Sequence, residues 1–143
     1  LGILLVLSAF FSASETAFTS MSKLKVRHML DANIKGAKHI AKILDNPNKM
    51  MTTILVGNNI VNITTTSIAT ALTIHYLGES GTGIAAIITT IFILLFGEIT
   101  PKTLANAFPE KICIRDAVIL RIIIIILTLT FLQILKNGQL KDG

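Results

Sequence analysis

Three stretches of the chain are mainly apolar: Leu1–Ser20, Thr52–Leu77 and Gly83–Phe108. Each reaches the roughly 20 residues needed to cross hydrocarbon as a helix, so the pattern predicts three membrane spans. The polar stretch between the first two carries Leu24, Leu30, Ile34, Ala37, Ala41 and Leu44 at helical spacing, with lysines on the opposite face. That predicts a basic amphipathic helix, or a broken pair, lying on the membrane surface. Gly36 is its weak point, and Asp45-Asn46-Pro47-Asn48 is a turn that ends it. The last apolar stretch, Lys111–Lys136, is interrupted by Arg121, after which only about 14 apolar residues follow. It is expected to be a juxtamembrane helix, bent near Arg121, rather than a fourth span. The fold class this implies is an all-α membrane protein, one domain over residues 1–143.

Composition sharpens that reading. Of 143 residues, 52% are hydrophobic and only 15% charged, with a mean hydropathy of +0.72. A soluble domain carries about a quarter charged residues, so an ordinary globular enzyme, a disordered chain and a collagenous repeat are excluded. One cysteine, Cys113, excludes an internal disulfide framework and a cysteine-based zinc site. The chain opens in the middle of an apolar run, and Lys136–Gly143 reads as the start of a linker. The expectation is therefore the membrane part of a longer protein.

The net charge of +5 is distributed in a way that speaks for topology rather than nucleic acid. Lys23, Lys25, Arg27, Lys35, Lys38, Lys42 and Lys49 fall between the first two spans, whereas residues 77–83 hold no Lys or Arg. Lys102, Lys111, Arg115, Arg121, Lys136 and Lys141 follow the third span or sit at its end. By the positive-inside rule the N-terminus is external and the C-terminus cytoplasmic, in the plasma (inner) membrane. Both ends of the 111–136 segment prefer the same side, and no aromatic stacking surface for nucleic acid accompanies the basic residues.

Polar groups are costly in hydrocarbon, so their positions within the spans carry the functional information. Ser8, Ser12, Glu15, Thr16 and Thr19 share one face of the first span. Hydroxyls there are explained by helix packing and by bonds to their own i−4 carbonyls, but a carboxylate is not. In the second span Asn58 and Asn62 lie one turn apart, continuing to Thr66. They are either interhelical glue or neutral oxygen ligands for a hard cation. The third span holds Phe96-Gly97-Glu98-Ile99-Thr100-Pro101-Lys102. Pro101 has no N–H for the carbonyl of Gly97 four residues earlier, and Glu98 adds negative charge beside it. The plainer alternative is a proline kink with Glu98 paired to Lys102 at i,i+4. An oxygen-only set suits Mg²⁺ or Ca²⁺ and argues against copper or zinc. His75, at the far end of its span, reads as interfacial. No nucleophile triad, phosphate loop or metalloprotease motif is present, so covalent catalysis is not expected.

Phe11-Ser12-Ala13-Ser14-Glu15-Thr16-Ala17, Gly57-Asn58-Asn59-Ile60-Val61-Asn62 and Phe96–Lys102 together resemble the transmembrane domain of the CorC/cyclin-M (CNNM) magnesium transporter family. The resemblance covers nearly the whole chain. It implies three transmembrane helices plus a belt-like juxtamembrane helix, a homodimer, and a largely dehydrated Mg²⁺ bound midway through the membrane. It further implies Mg²⁺ export coupled to Na⁺ influx, and a cytosolic CBS-domain pair that binds ATP beyond residue 143. Carried over by position, Ser12, Asn58, Asn62, Gly97 and Glu98 are the expected metal ligands, with Pro101 shaping the site and Thr16 a further candidate ligand. Glu15 is a candidate of weaker standing, because animal relatives carry an amide there. The competing functions are a non-transporting anchor and dimerisation module for cytosolic domains, and a Mg²⁺ channel.

Overall fold

The computed structural model describes residues 1–139 and is helical throughout, with no strand among them. Helix α1 spans Gly2–Thr19, α2 Lys23–Asp31, α3 Ala37–Leu44 and α4 Pro47–Leu77. A 3₁₀ turn, Glu79–Gly81, leads into α5, Thr82–Phe92, which passes into a π-helical segment, Ile93–Ile99, and then α6, Thr100–Ala107. Helix α7 runs over Pro109–Gln139. The linker-like reading of residues 136–143 is corrected in part, since α7 continues through Gln139, and its remainder lies outside the described residues.

Local chemistry sets most of these boundaries. Ser22 caps α2 by accepting a hydrogen bond from the Lys25 N–H at 3.1 Å, and Asn46 caps α4 by accepting from the Lys49 N–H at 3.2 Å. Pro47 and Pro101 stand in the first turns of α4 and α6, where a missing N–H costs least. The basic stretch is a broken pair. Gly36, at φ +90°, takes the left-handed conformation that separates α3 from α2.

Helix α1 is the hub. It packs against α4, the π segment, α6 and α7, while α5 packs against α4. The apolar core lies towards the end of the bundle where α2 and α3 close over it: Phe18, Met29, Ile40, Ile43, Ile54, Cys113 and Leu120 are buried there. Helix α5, at the other end, buries no residue. That division follows from the solvent, because apolar burial drives packing where water competes and not where lipid surrounds the helix.

Three stretches among the described residues are long and apolar enough to cross a membrane: Gly2–Thr19, Glu79–Ala107 and Pro109–Gln139. The first and third predicted spans are among them. Helix α4 is 31 residues long, but Asn58, Asn59, Asn62 and its threonines dilute its hydropathy, and it does not qualify on composition. Helix α7 qualifies because it is unbroken. It runs without a break through Arg121, whose Nη1 lies 2.8 Å from Nδ1 of His39 on α3.

The partners of α7 trace its course. Glu110 pairs with Lys25 of α2 at 3.3 Å, Asp116 accepts from Ser14 near the end of α1, and Arg121 meets His39 of α3. Further on, Ile125, Ile126, Leu129 and Phe131 are exposed.

Candidate functional site

Among the polar residues singled out in the spans, Ser8, Ser12, Asn58 and Asn62 lie along the contact of α1 with α4, and Gly97 of the π segment approaches Ser8. Ser8 and Ser12, one turn apart on α1, are both fully buried. The Ser8 hydroxyl donates to Oδ1 of Asn62 on α4 at 3.0 Å. Ser12 Oγ and Asn58 Oδ1, the next pair along the same two helices, are buried and have no hydrogen-bond partner among the described residues. Nearly all buried polar atoms are paired, so two orphaned oxygens on facing helices are a specific signal. A carbonyl oxygen and a hydroxyl left bare in a low-dielectric interior are suited to a cation.

Glycines bring the helices this close. A Cβ on Gly97 would lie 2.9 Å from Ser8 Oγ and 3.4 Å from Ser8 Cβ, so only glycine lets the π segment approach α1 here. A Cβ on Gly57 would lie 2.4 Å from the Phe11 ring. Phe11 and Gly57 immediately precede Ser12 and Asn58, so this contact sets the separation of the two orphaned oxygens.

The predicted proline kink is a π segment. The Thr100 N–H bonds to the carbonyl of Leu95, five residues back, and Pro101 then begins the return to α geometry. The carbonyl deprived of a donor by Pro101 is thus Phe96 in the π register and Gly97 in the α register. Pro101 thus stands at the register change itself, and π segments are frequent at functional sites.

The Glu98–Lys102 pair, the plainer alternative for this motif, is not formed. The i,i+4 rule holds for a continuous α-helix, and residues 98–102 straddle the change of register. Lys102 Nζ instead lies 3.8 Å from Glu15 Oε2 of α1, both side chains being substantially exposed. Glu98 is half-buried and makes no ion pair or side-chain hydrogen bond among the described residues. Glu15 shares a cavity of about 190 Å³ with Thr52, Leu55 and Asn58, which connects it to the orphaned amide. Thr16 is half-buried, and its carbonyl accepts from the hydroxyls of Thr19 and Ser20. Thr66 is exposed and bonds back to the Asn62 carbonyl, outside the cluster.

One polar cluster escaped the sequence reading. Asp116 on α7 is buried, accepts from Ser14 Oγ at 2.9 Å, and pairs with the guanidinium of Arg115 at 2.6 Å. An acidic residue within an apolar run was the available signal. The cluster ties α7 to α1 beside a cavity of about 370 Å³ whose walls are mostly apolar, including Phe10, Leu104 and Ile119.

Among known proteins, the cyclin M transmembrane N-terminal domain family matches residues 1–137. The chain is 42% identical over 110 residues to a UPF0053 protein of Haemophilus influenzae, covering 77% of this chain and 26% of that protein. It is 34% identical over 114 residues to the UPF0053 inner membrane protein YfjD of Escherichia coli, covering 80% and 27%. It is also 28% identical over 126 residues to the polyamine export protein of Salmonella typhimurium, covering 78% and 28%. The chain spans about a quarter of the length of these relatives. With a match to the family over residues 1–137, nearly its full length, the chain belongs to the cyclin M (CNNM) transmembrane domain family.

Proposed function

We propose that this domain moves Mg²⁺ across the membrane by alternating exposure of a site formed by Ser12, Asn58, Asn62, the Gly97 carbonyl and Glu98, exporting it in exchange for Na⁺. The observation that carries the reading is the pair of unpartnered buried oxygens, Ser12 Oγ and Asn58 Oδ1, beside the glycine-permitted approach of the π segment. Neutral oxygens plus one carboxylate suit a hard divalent cation, and Glu98 supplies the charge that desolvation of Mg²⁺ demands. In this reading α1, α4 and α5–α6 cross the bilayer. Helices α2 and α3 lie at its cytoplasmic surface and α7 forms a belt there. Two copies assemble, and a cytosolic CBS-domain pair follows in the full-length chain.

The test is flux from proteoliposomes containing the full-length protein. Mg²⁺ efflux that rises with an opposing Na⁺ gradient is the expected result. Efflux indifferent to Na⁺ removes the exchanger and leaves a channel or uniporter, and absence of any flux favours the anchor. The relative named for polyamine export makes a polyamine the competing substrate, so a spermidine arm belongs in the same assay.

Pro101→Ala separates backbone from side-chain ligation. Alanine restores an N–H at the register change, which can bond to the Phe96 or Gly97 carbonyl and withdraw it from an ion. Pro101 stands in the first turn of α6, where proline costs less than in a helix interior, so thermal stability is expected to hold or rise slightly. Mg²⁺ affinity, read by calorimetry, is expected to fall roughly tenfold if a ligand worth about 1.4 kcal/mol is lost. Unchanged affinity would take the backbone carbonyl out of the ligand set.

A further inference from the structure

Where α3, α4 and α7 meet, a cavity of about 210 Å³ is lined by Lys42, Ile43, Asn46, Lys49, Arg121 and Ile124. Three cations converge on one concavity and no carboxylate lines it. Asp45 is next to Asn46 in sequence, but its side chain is not part of the wall. Lys42 and Lys49 make no ion pair among the described residues. Arg121 is oriented by His39 Nδ1 at 2.8 Å, a contact that leaves its charge uncompensated when the imidazole is neutral. Lys49 also stands in the first turn of the 31-residue α4, which carries no acidic residue, so its charge opposes the positive end of that helix. Like charges gathered here raise the free energy of the empty cavity, and an anion relieves it.

The surroundings say which kind of anion. Beyond Arg121, α7 exposes Ile122, Ile125, Ile126 and Leu129, each about half accessible, so the basic concavity opens beside an apolar face on a membrane protein. A charged head above apolar chains matches that sequence of surfaces, whereas a soluble phosphate uses only the first. Basic pockets between helices at the membrane surface are suited to anionic lipid headgroups.

We propose that this cavity binds the phosphate headgroup of an anionic phospholipid through Lys42, Lys49 and Arg121, with the acyl chains along the α7 face that follows. The bound lipid fastens α7 to α3 and to the start of α4. The inference is independent of what the domain transports.

Native mass spectrometry of the full-length protein, titrated in detergent with phosphatidylglycerol or phosphatidylcholine, tests it. Phosphatidylglycerol is expected to be retained preferentially, and the exposed-residue variant Lys42→Gln/Lys49→Gln to lose roughly tenfold or more in affinity for it. Lys42→Arg/Lys49→Arg is expected to bind as the parent does. A control, Lys23→Gln/Arg27→Gln on α2, removes the same charge elsewhere and is expected to bind nearly as the parent does. Equal losses in the two glutamine variants would reduce the effect to diffuse attraction and overturn the site. So would equal retention of phosphatidylcholine, or displacement of the lipid by millimolar inorganic phosphate.

Discussion

Glu98→Gln is expected to lower Mg²⁺ affinity by roughly a hundredfold or more while leaving the melting temperature of the full-length protein unchanged or slightly raised. The two halves of that result have separate causes. Glutamine keeps the size and one carbonyl oxygen of the side chain but removes its charge, and a contact to an ionised group in a desolvated site is worth about 1.5–3 kcal/mol, more where no water competes. Stability is spared because Glu98 is half-buried and has no partner to lose among the described residues. Isothermal calorimetry with Mg²⁺ and thermal unfolding followed by circular dichroism check the two halves. A large fall in melting temperature would show Glu98 to be structural, and undiminished affinity would remove it from the ligands.

Gly57→Ala is expected to act the other way round, through packing. Its Cβ would be built 2.4 and 2.5 Å from two atoms of the Phe11 ring, which is itself buried between α1 and α4. Either the ring leaves its rotamer or the helices separate, and overpacking of this kind costs about 1–3 kcal/mol. Separation also pulls Ser12 from Asn58, so cation affinity is expected to fall with stability. Phe11→Leu in the same chain frees the space, and the double variant is expected to recover a large part of the loss. A double-mutant cycle with no coupling between positions 11 and 57 would show that this contact does not set the helix spacing.

Much of this site was legible because hydrocarbon penalises polarity so heavily. Ser12, Asn58, Asn62 and Glu98 stand out in apolar surroundings, and the first three lie along the contact of α1 with α4. What could not be read was whatever depends on backbone register or on the neighbouring helix. The spacing of Glu98 and Lys102 is favourable in a uniform helix, and nothing in composition announces a π segment between Ile93 and Ile99. Glu15 therefore gained a partner that counting along one helix could not supply. Ser8 looked like a packing hydroxyl, and its bond to Asn62 needs the two helices side by side. Asp116 is adjacent to Arg115 in sequence and reads as one half of a surface ion pair, and its burial against Ser14 depends on where α7 lies against α1. Along the one helix α7, Asp116 pairs with Arg115, while Arg121 meets the imidazole of His39, which does not offset its charge.

The π segment has a wider geometric meaning. Closing its turns over five residues instead of four puts surplus backbone into the ladder, so the helical wheel slips in phase between α5 and α6. A single projection drawn through Thr82–Ala107 superimposes positions that look in different directions. The slip accompanies a change of neighbour, from α4 along α5 to α1 along the π segment and α6. One continuous rod thus lies against two helices in succession without a hinge or a loop. Removing one residue between Ile93 and Phe96 would restore a common phase, and the rod could then keep its seat on only one of them.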